Sequence, residues 1–488
     1  MKKKTKHPEA RNSRSIAELV RYAWMAFGVT SAIVAAACSG VPTPATDADA
    51  ISIKQPSGQC LALSGGGIRS AATALGVLQA LQDRHELYDY DYVSAVSGGG
   101  WPVYGLIYQL AHENRKIADL LSEHGGYVQY DESNSSEFVQ IVPDAVSAGI
   151  FAPLNTVAYR VGISPETAGH NTYRHEIHKA FAGAGDYGLH LGLSLDSLAQ
   201  NPVFIRRTAA FPVPIFGSSA KFELTPPLEG HKYTADDYFE LSPGYSGSTK
   251  YGFWSRIGDF RFELIDAVAD AASAADSPVH DAHTKNIPDF LKVMTLGLGS
   301  YVVLHKSIYL SDGGFVENLG LLPLLTKTCK NVLALDAEWD TSDTVGAWET
   351  FRTRLTENSG TRWVIPDLTP VSPRETGSPK DAWHVRTHIY SAELHNAEGK
   401  SIHVTIMKLG ISVDHLSEYP KEVREFADID WKAPSWSKAN LHCVTPGGPL
   451  TENCPFPMQA TVHQDYAARE FEAYRLMGKY LVNLVVKR

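Results

Sequence analysis

Cys60-Leu-Ala-Leu-Ser-Gly-Gly-Gly-Ile-Arg69 and Tyr92-Val-Ser-Ala-Val-Ser97-Gly-Gly-Gly-Trp101 share one plan: a short apolar run, a glycine-rich turn, then residues with helical spacing. Leu61–Leu63 reads as the end of a buried strand and Arg69–Asp83 as a helix. The small residues Ala71, Ala72, Ala74 and Gly76 suit that helix to close packing on a sheet. Tyr92–Val96 is the next strand, and Gly98–His112 the next helix, with Pro102 tolerable in its first turn. Two such units in succession predict βαβ connections around a mainly parallel sheet. The expected fold is a three-layer α/β/α sandwich.

Working outward, strands are expected at Val203–Ala210, Lys292–Leu298, Ser307–Leu310 and Asn331–Leu335, and helices at Asn318–Thr328 and Gln464–Val485. In the last helix Ala467, Phe471, Tyr474, Gly478, Leu481 and Val485 recur at three-to-four spacing, the mark of an amphipathic face. His384–Leu394 and Ser401–Leu409 flank Asn396-Ala-Glu-Gly399 and read as an antiparallel hairpin. Residues 211–286, rich in Pro, Gly, Tyr and Ser, interrupt the rhythm and are expected to form an insertion over the sheet end. Residues 133–170 are a smaller insertion of the same kind, and a lid belongs in such segments. Residues 51–488 are thus expected to form a single domain.

The chemistry lies in the turns. Ser97, between strand and helix with small neighbours, has its hydroxyl forced into the open, and Ala95 is the one departure from G-x-S-x-G. Ser94 lies within the strand and is a poorer nucleophile. Gly65, Gly66 and Gly67 let backbone N–H groups converge on an oxyanion, and the Gly98 N–H adds to them from the helix start behind Ser97. Asp312, in Ser311-Asp312-Gly313-Gly314 after a strand, presents a carboxylate at the sheet edge and can take the Ser97 proton without a histidine. Asp336 and Glu338 are its nearest substitutes. Arg69 sits in a helical first turn, where the dipole disfavours it, so it needs a partner: a substrate phosphate or a structural carboxylate.

Three rival readings are weaker. Gly65-x-Gly67-x-x-Ser70 half-matches a dinucleotide loop, with serine in place of the third glycine. A P-loop lacks its lysine. A Ser-His-Asp triad would draw on His403, His415, His442 or His463, none of them in a recognisable catalytic turn.

Gly-Gly-Gly-x-Arg69, a serine turn at Ser97 and Asp312-Gly-Gly, in that order, resemble the patatin-like phospholipases. The motifs are most similar to the catalytic domain of cytosolic phospholipase A2. Ser64-Gly-Gly-Gly-x-Arg69, Ser97-Gly-x-x-Trp101 and Phe222-Glu223-x-Thr225-Pro226 carry that likeness, the last being similar to a segment near the lid. The resemblance implies a Ser97–Asp312 dyad, Gly66 and Gly67 as oxyanion donors, and Arg69 as a phosphate-binding or oxyanion-supporting residue. It implies a phospholipid or other acyl-lipid substrate and no cofactor. A lysophospholipase, thioesterase or acyltransferase on the same dyad, or a lipid-binding protein without turnover, is the alternative.

Composition bounds the rest. The 488 residues carry a net charge of −10, with 44% hydrophobic and 20% charged residues, which gives no basic footprint for nucleic acid. Residues 1–37 are the exception. Seven basic residues against Glu9 and Glu18 precede an apolar stretch, Tyr22–Ala37, that ends in Ala35-Ala-Ala-Cys38-Ser39. This pattern predicts a secretory signal of lipoprotein type, with Cys38 as the lipidated residue. An uncleaved anchor and ordinary cleavage are the alternatives. Removing residues 1–37 leaves the remainder near −15, so acylation at Cys38, followed by a tether over residues 38–50, would hold the protein on a membrane where charge would not. The expected location is a bacterial cell envelope, anchored or secreted, with no metal site implied. Cys443 and Cys454 bracket Val444-Thr-Pro-Gly-Gly-Pro449 and are expected to bridge. Cys60 and Cys329 either pair, if their strands are neighbours, or remain buried thiols.

Overall fold

The computed structural model describes residues 56–111, 115–122, 193–199, 211–223, 237–250, 252–254, 262–272, 300–303, 306–338, 345–358, 363–371, 387–412, 415–425, 456–457 and 468–486, with isolated residues at 174–182 and 385. The expected signal and tether, Cys38, the 133–170 segment, Val203–Ala210, Lys292–Leu298 and the Cys443–Cys454 pair lie outside them.

The strands form one twisted sheet. They are β1 (Gln59–Leu63), β2 (Tyr90–Val96), β3 (Val213–Glu223), β4 (Asp237–Ser242), β5 (Tyr245–Ser248), β6 (Gly252–Trp254), β7 (Ser300–Val303), β8 (Lys306–Asp312), β9 (Asn331–Asp336), β10 (Trp363–Val364), β11 (Thr369–Pro370), β12 (Ile389–Asn396) and β13 (Ser401–Lys408). The main path runs β10-β12-β13-β9-β1-β2-β3-β4-β5-β6. Its centre, β13-β9-β1-β2-β3, is parallel throughout, and antiparallel strands extend both flanks. The expected hairpin is β12–β13, paired from Ile389↔Met407 to His395↔Ser401.

Helices cover both faces, because the central strands are apolar on both. One core packs Leu61, Leu63, Val93 and Ala95 under α1 (Gly67–Asp83), α2 (Gly100–Ala111), α3 (Leu264–Ala271) and α5 (Ala468–Val486). The opposite core packs Cys60, Ala62, Ile215 and Val404 against Trp348 and Phe351 of α4 (Gly346–Asn358). This is the three-layer α/β/α arrangement. Cys60 and Cys329 form a disulfide that ties β1 to the approach of β9. Among the described residues no helix is long and apolar enough to cross a membrane.

Two expectations need correction. The described part of 211–286 is not an insertion over the sheet end: it supplies β3 to β6 and α3. Val213–Gly217 pairs in parallel with β2 as a core strand. Phe222 and Glu223 accordingly end a core strand. The helix expected at Asn318–Thr328 is a short 3₁₀ turn, Leu322–Thr326. Gly320 takes a left-handed φ of 77°, and the buried Glu317 carboxylate accepts the amides of Leu321 at 2.8 Å and Leu322 at 3.3 Å. These bonds hold the segment as a loop where helical bonds would otherwise form.

Candidate active site

Strand pairing alone brings the two halves of the site together. β3 changes partners midway: Val213–Gly217 lies beside β2, and Ser218–Glu223 lies antiparallel beside β8. Val96 is opposite Gly217, and Asp312 is opposite Ser218, the next residue. β2 and β8 therefore end head to head against the middle of β3. Ser97 and Asp312, 215 residues apart in the chain, meet there, and Ser97 Oγ donates to Asp312 Oδ2 at 2.7 Å.

The turn at Ser97 is strained. Ser97 has φ 50°, a left-handed conformation that costs a non-glycine residue on the order of 1 kcal/mol or more. It opens a 3₁₀ turn, Ser97–Gly99, that runs into α2. Ser97 and Asp312 each keep 6% of their surface exposed. The second carboxylate oxygen of Asp312, Oδ1, accepts the Gly314 N–H at 2.8 Å. Burial pushes the Asp312 carboxyl up to about 6, against the lowering effect of the Ser97 and Gly314 donors. A carboxylate so poised takes a proton near neutral pH more readily than a solvated one.

The glycine loop rests directly on this turn. A Cβ on Gly98 would collide with the Gly67 carbonyl oxygen, and one on Gly99 would sit 2.5 Å from the Ser64 carbonyl oxygen. Gly66 and Gly67 take φ of 140° and 61° at the start of α1. Their amides lead the helix, so no carbonyl one turn earlier satisfies them. Gly65 departs from the expected donor set: its N–H is already held by the Asn318 carbonyl at 3.0 Å. Gly66, Gly67 and Gly98 remain as candidate donors.

Arg69 is fully buried. Its Nε donates to the Ala337 carbonyl at 2.9 Å, and its guanidinium lies against Gly66, underneath the loop and away from solvent. Ser64 Oγ accepts the Ala337 N–H at 2.8 Å, and Ser70 Oγ donates to the Ser64 carbonyl. The turn after β9 thus fastens the loop from below. Asp336, one of the substitute carboxylates, lies in a buried ion pair with Lys408 at 3.2 Å. Glu338, the other, accepts from Asn318 Nδ2 at 3.1 Å.

Among the described residues no histidine is hydrogen-bonded to the dyad. His403 lies near Thr405, and His415 pairs with Glu418 on the surface, while His442 and His463 fall outside the described set. Three residues at the site had no local sequence signal. Gly217 and Ser218 of β3 align the dyad, and Asn318 touches both the glycine loop and the acidic turn. Ser218 is fully buried beside Asp312, and its hydroxyl has no hydrogen-bond partner among the described residues.

No protein-family model matches the chain, and no curated protein sequence does. Among solved structures it is similar to human GIVD cytosolic phospholipase A2, with 13% identity and a TM-score of 0.53 over 87% of this chain and 60% of that one. The same human protein in complex with methyl gamma-linolenyl fluorophosphonate matches with 13% identity and a TM-score of 0.49, over 88% of this chain and 58% of that one. The chain thus spans about 60% of the length of the human enzyme. At this identity the likeness concerns the fold alone, a mixed α/β arrangement around a large, mostly parallel central sheet.

Proposed function

We propose that the protein is a lipid acyl hydrolase of phospholipase A type, working through Ser97 and Asp312. The observation that carries this reading is the 2.7 Å hydrogen bond from Ser97 Oγ to Asp312 Oδ2 on a strained turn, with the Gly66, Gly67 and Gly98 amides beside it. The phospholipase-like fold supports a lipid substrate.

Ser97 Oγ attacks the ester carbonyl as its proton passes to Asp312. The glycine amides hold the negative charge on the tetrahedral oxygen, and losing one such donor costs about 3 kcal/mol of transition-state stabilisation. The carbon–oxygen bond to the lysolipid then breaks, and Asp312 returns its proton to the leaving oxygen. Water attacks the acyl-Ser97 ester, Asp312 takes a proton from it, and fatty acid leaves as Ser97 is restored. Arg69 supports the loop through Ala337. The substrate is a membrane phospholipid, and lipidation at Cys38 would keep the enzyme beside it in a bacterial envelope. The Cys60–Cys329 disulfide supports an oxidising compartment.

The direct test is fatty-acid release from phosphatidylcholine vesicles. Ser97→Ala and Asp312→Ala should each abolish it while circular dichroism stays unchanged. Full activity in Ser97→Ala would sink the proposal.

A further inference from the structure

We infer that Asn318 is a positioning residue that locks the oxyanion loop to the acidic turn, with Glu338 as its anchor. This rests on the hydrolase reading above. Asn318 reaches both halves of the site. Its main-chain carbonyl accepts the Gly65 N–H at 3.0 Å. Its Oδ1 lies so close to Gly65 that a Cβ there would collide with it, and a Cβ on Gly314 would sit 2.9 Å away. Gly314 is the residue whose N–H holds Asp312 Oδ1. One side chain therefore spaces the start of the donor loop from the clamp on the base.

The bracket is anchored from the far side. Asn318 Nδ2 donates to Glu338 Oε2 at 3.1 Å, the Glu338 N–H donates to Asp336 Oδ1 at 3.1 Å, and Asp336 Oδ2 accepts from Lys408 at 3.2 Å. A carboxamide suits the position because one end must donate to a carboxylate while the other stays uncharged against two glycines. An aspartate there would set two carboxylates together, and an apolar residue would leave Glu338 without that donor. Misplacing catalytic groups by about 1 Å can cost on the order of a hundredfold in rate, so the effect belongs in turnover more than in binding.

Two readouts test this on the full chain. The first is hydrolysis of phosphatidylcholine in mixed micelles across pH. The second is the rate of Ser97 labelling by a fluorophosphonate, which needs the dyad and loop but no lipid turnover. Asn318→Ala should lower kcat and the labelling rate by about tenfold or more, with KM within about twofold and an unchanged fold by circular dichroism.

Asn318→Asp should keep activity at low pH, where it shares a proton with Glu338. It should lose activity as pH rises and both carboxylates ionise, an alkaline limb absent from the wild type. Asn318→Asp/Glu338→Gln should remove that limb. Among the described residues, the other charged groups around the bracket include Asp336 and Lys408 behind Glu338, Arg69 on the Ala337 carbonyl, Asp312 across Gly314, and Arg354, which donates to the Phe315 carbonyl at 3.4 Å. Glu317 is bound to the Leu319, Leu321 and Leu322 amides. All are unchanged in these variants, so a limb confined to Asn318→Asp belongs to the new pair.

Wild-type kcat in Asn318→Ala, no alkaline limb in Asn318→Asp, or a limb that survives Glu338→Gln each overturns the inference. A wild type that labels at Ser97 but releases no fatty acid sinks the lipid-hydrolase reading alone, and the labelling ratio then decides the role of Asn318. A wild type that does not label overturns both.

Discussion

At the residue scale, Asp312 faces two opposed demands. In the proposed mechanism it must be ionised to act as a base, yet burial holds its carboxyl near 6. Activity should therefore fall as pH drops below about 6 and level off above it, as a kcat/KM profile would show. The same shift has a stability consequence of definite sign. The folded chain holds this proton more tightly than the unfolded chain, whose value is near 3.8. Asp312 thus contributes stability below about 4, and that contribution is lost as pH rises through about 6. Asp312→Asn should accordingly abolish hydrolysis yet raise stability at pH 8 by up to about 3 kcal/mol relative to its effect at pH 4. Denaturant melts at the two pH values measure this, and a variant equally destabilised at both would contradict it. Among single residues, Ser97 and Asp312 were legible because short apolar runs frame them. The roles of Gly65 and Asn318 were not, since a backbone carbonyl 253 residues away decides which amides the loop leaves open.

At the scale of elements, the helix expected at Gln464–Val485 is present as α5, but Gly76 of α1, expected to serve packing on the sheet, serves packing on α5 instead. α1 and α5 cross backbone to backbone: a Cβ on Gly76 would collide with the Arg475 carbonyl oxygen, and one on Gly478 with that of Thr73. Gly76→Ala or Gly478→Ala should each destabilise the protein by roughly 1–3 kcal/mol, despite the better helix propensity of alanine. A gain in melting temperature for either would show that the crossing is looser than described. β3 was hidden for a different reason. Val213-Pro-Ile-Phe-Gly-Ser-Ser-Ala lacks strand alternation because both of its faces are buried, and Gly217 and Ser218 look like a loop until the two strands that flank them are known. The Asn318–Thr328 stretch misled in the opposite direction. Its leucines have helical spacing, but Gly320 and the Glu317 carboxylate hold its backbone in a loop.

At the scale of the whole molecule, the parallel centre of the sheet presents the turns after β1 and β2 along one edge, and the antiparallel flank delivers Asp312 from the opposite direction. That head-to-head meeting is a property of topology, so only the turns themselves were readable in advance. The Cys60–Cys329 disulfide spans 269 residues of chain and fastens β1, which leads into the glycine loop, to the approach of β9. Removing it with Cys60→Ser/Cys329→Ser should cost about 2–5 kcal/mol, measured by urea unfolding, and an unchanged midpoint would mean that the bridge adds nothing to stability.

In the proposed mechanism every step depends on Ser97 being a nucleophile activated by Asp312. Mass spectrometry of the intact protein after fluorophosphonate treatment tests this most directly. One phosphonyl adduct should form on wild type and map to Ser97. It should be absent from Ser97→Ala and greatly slowed in Asp312→Asn. An adduct on Ser97→Ala equal to that on wild type, or an Asp312→Asn variant labelled at the wild-type rate, would contradict it.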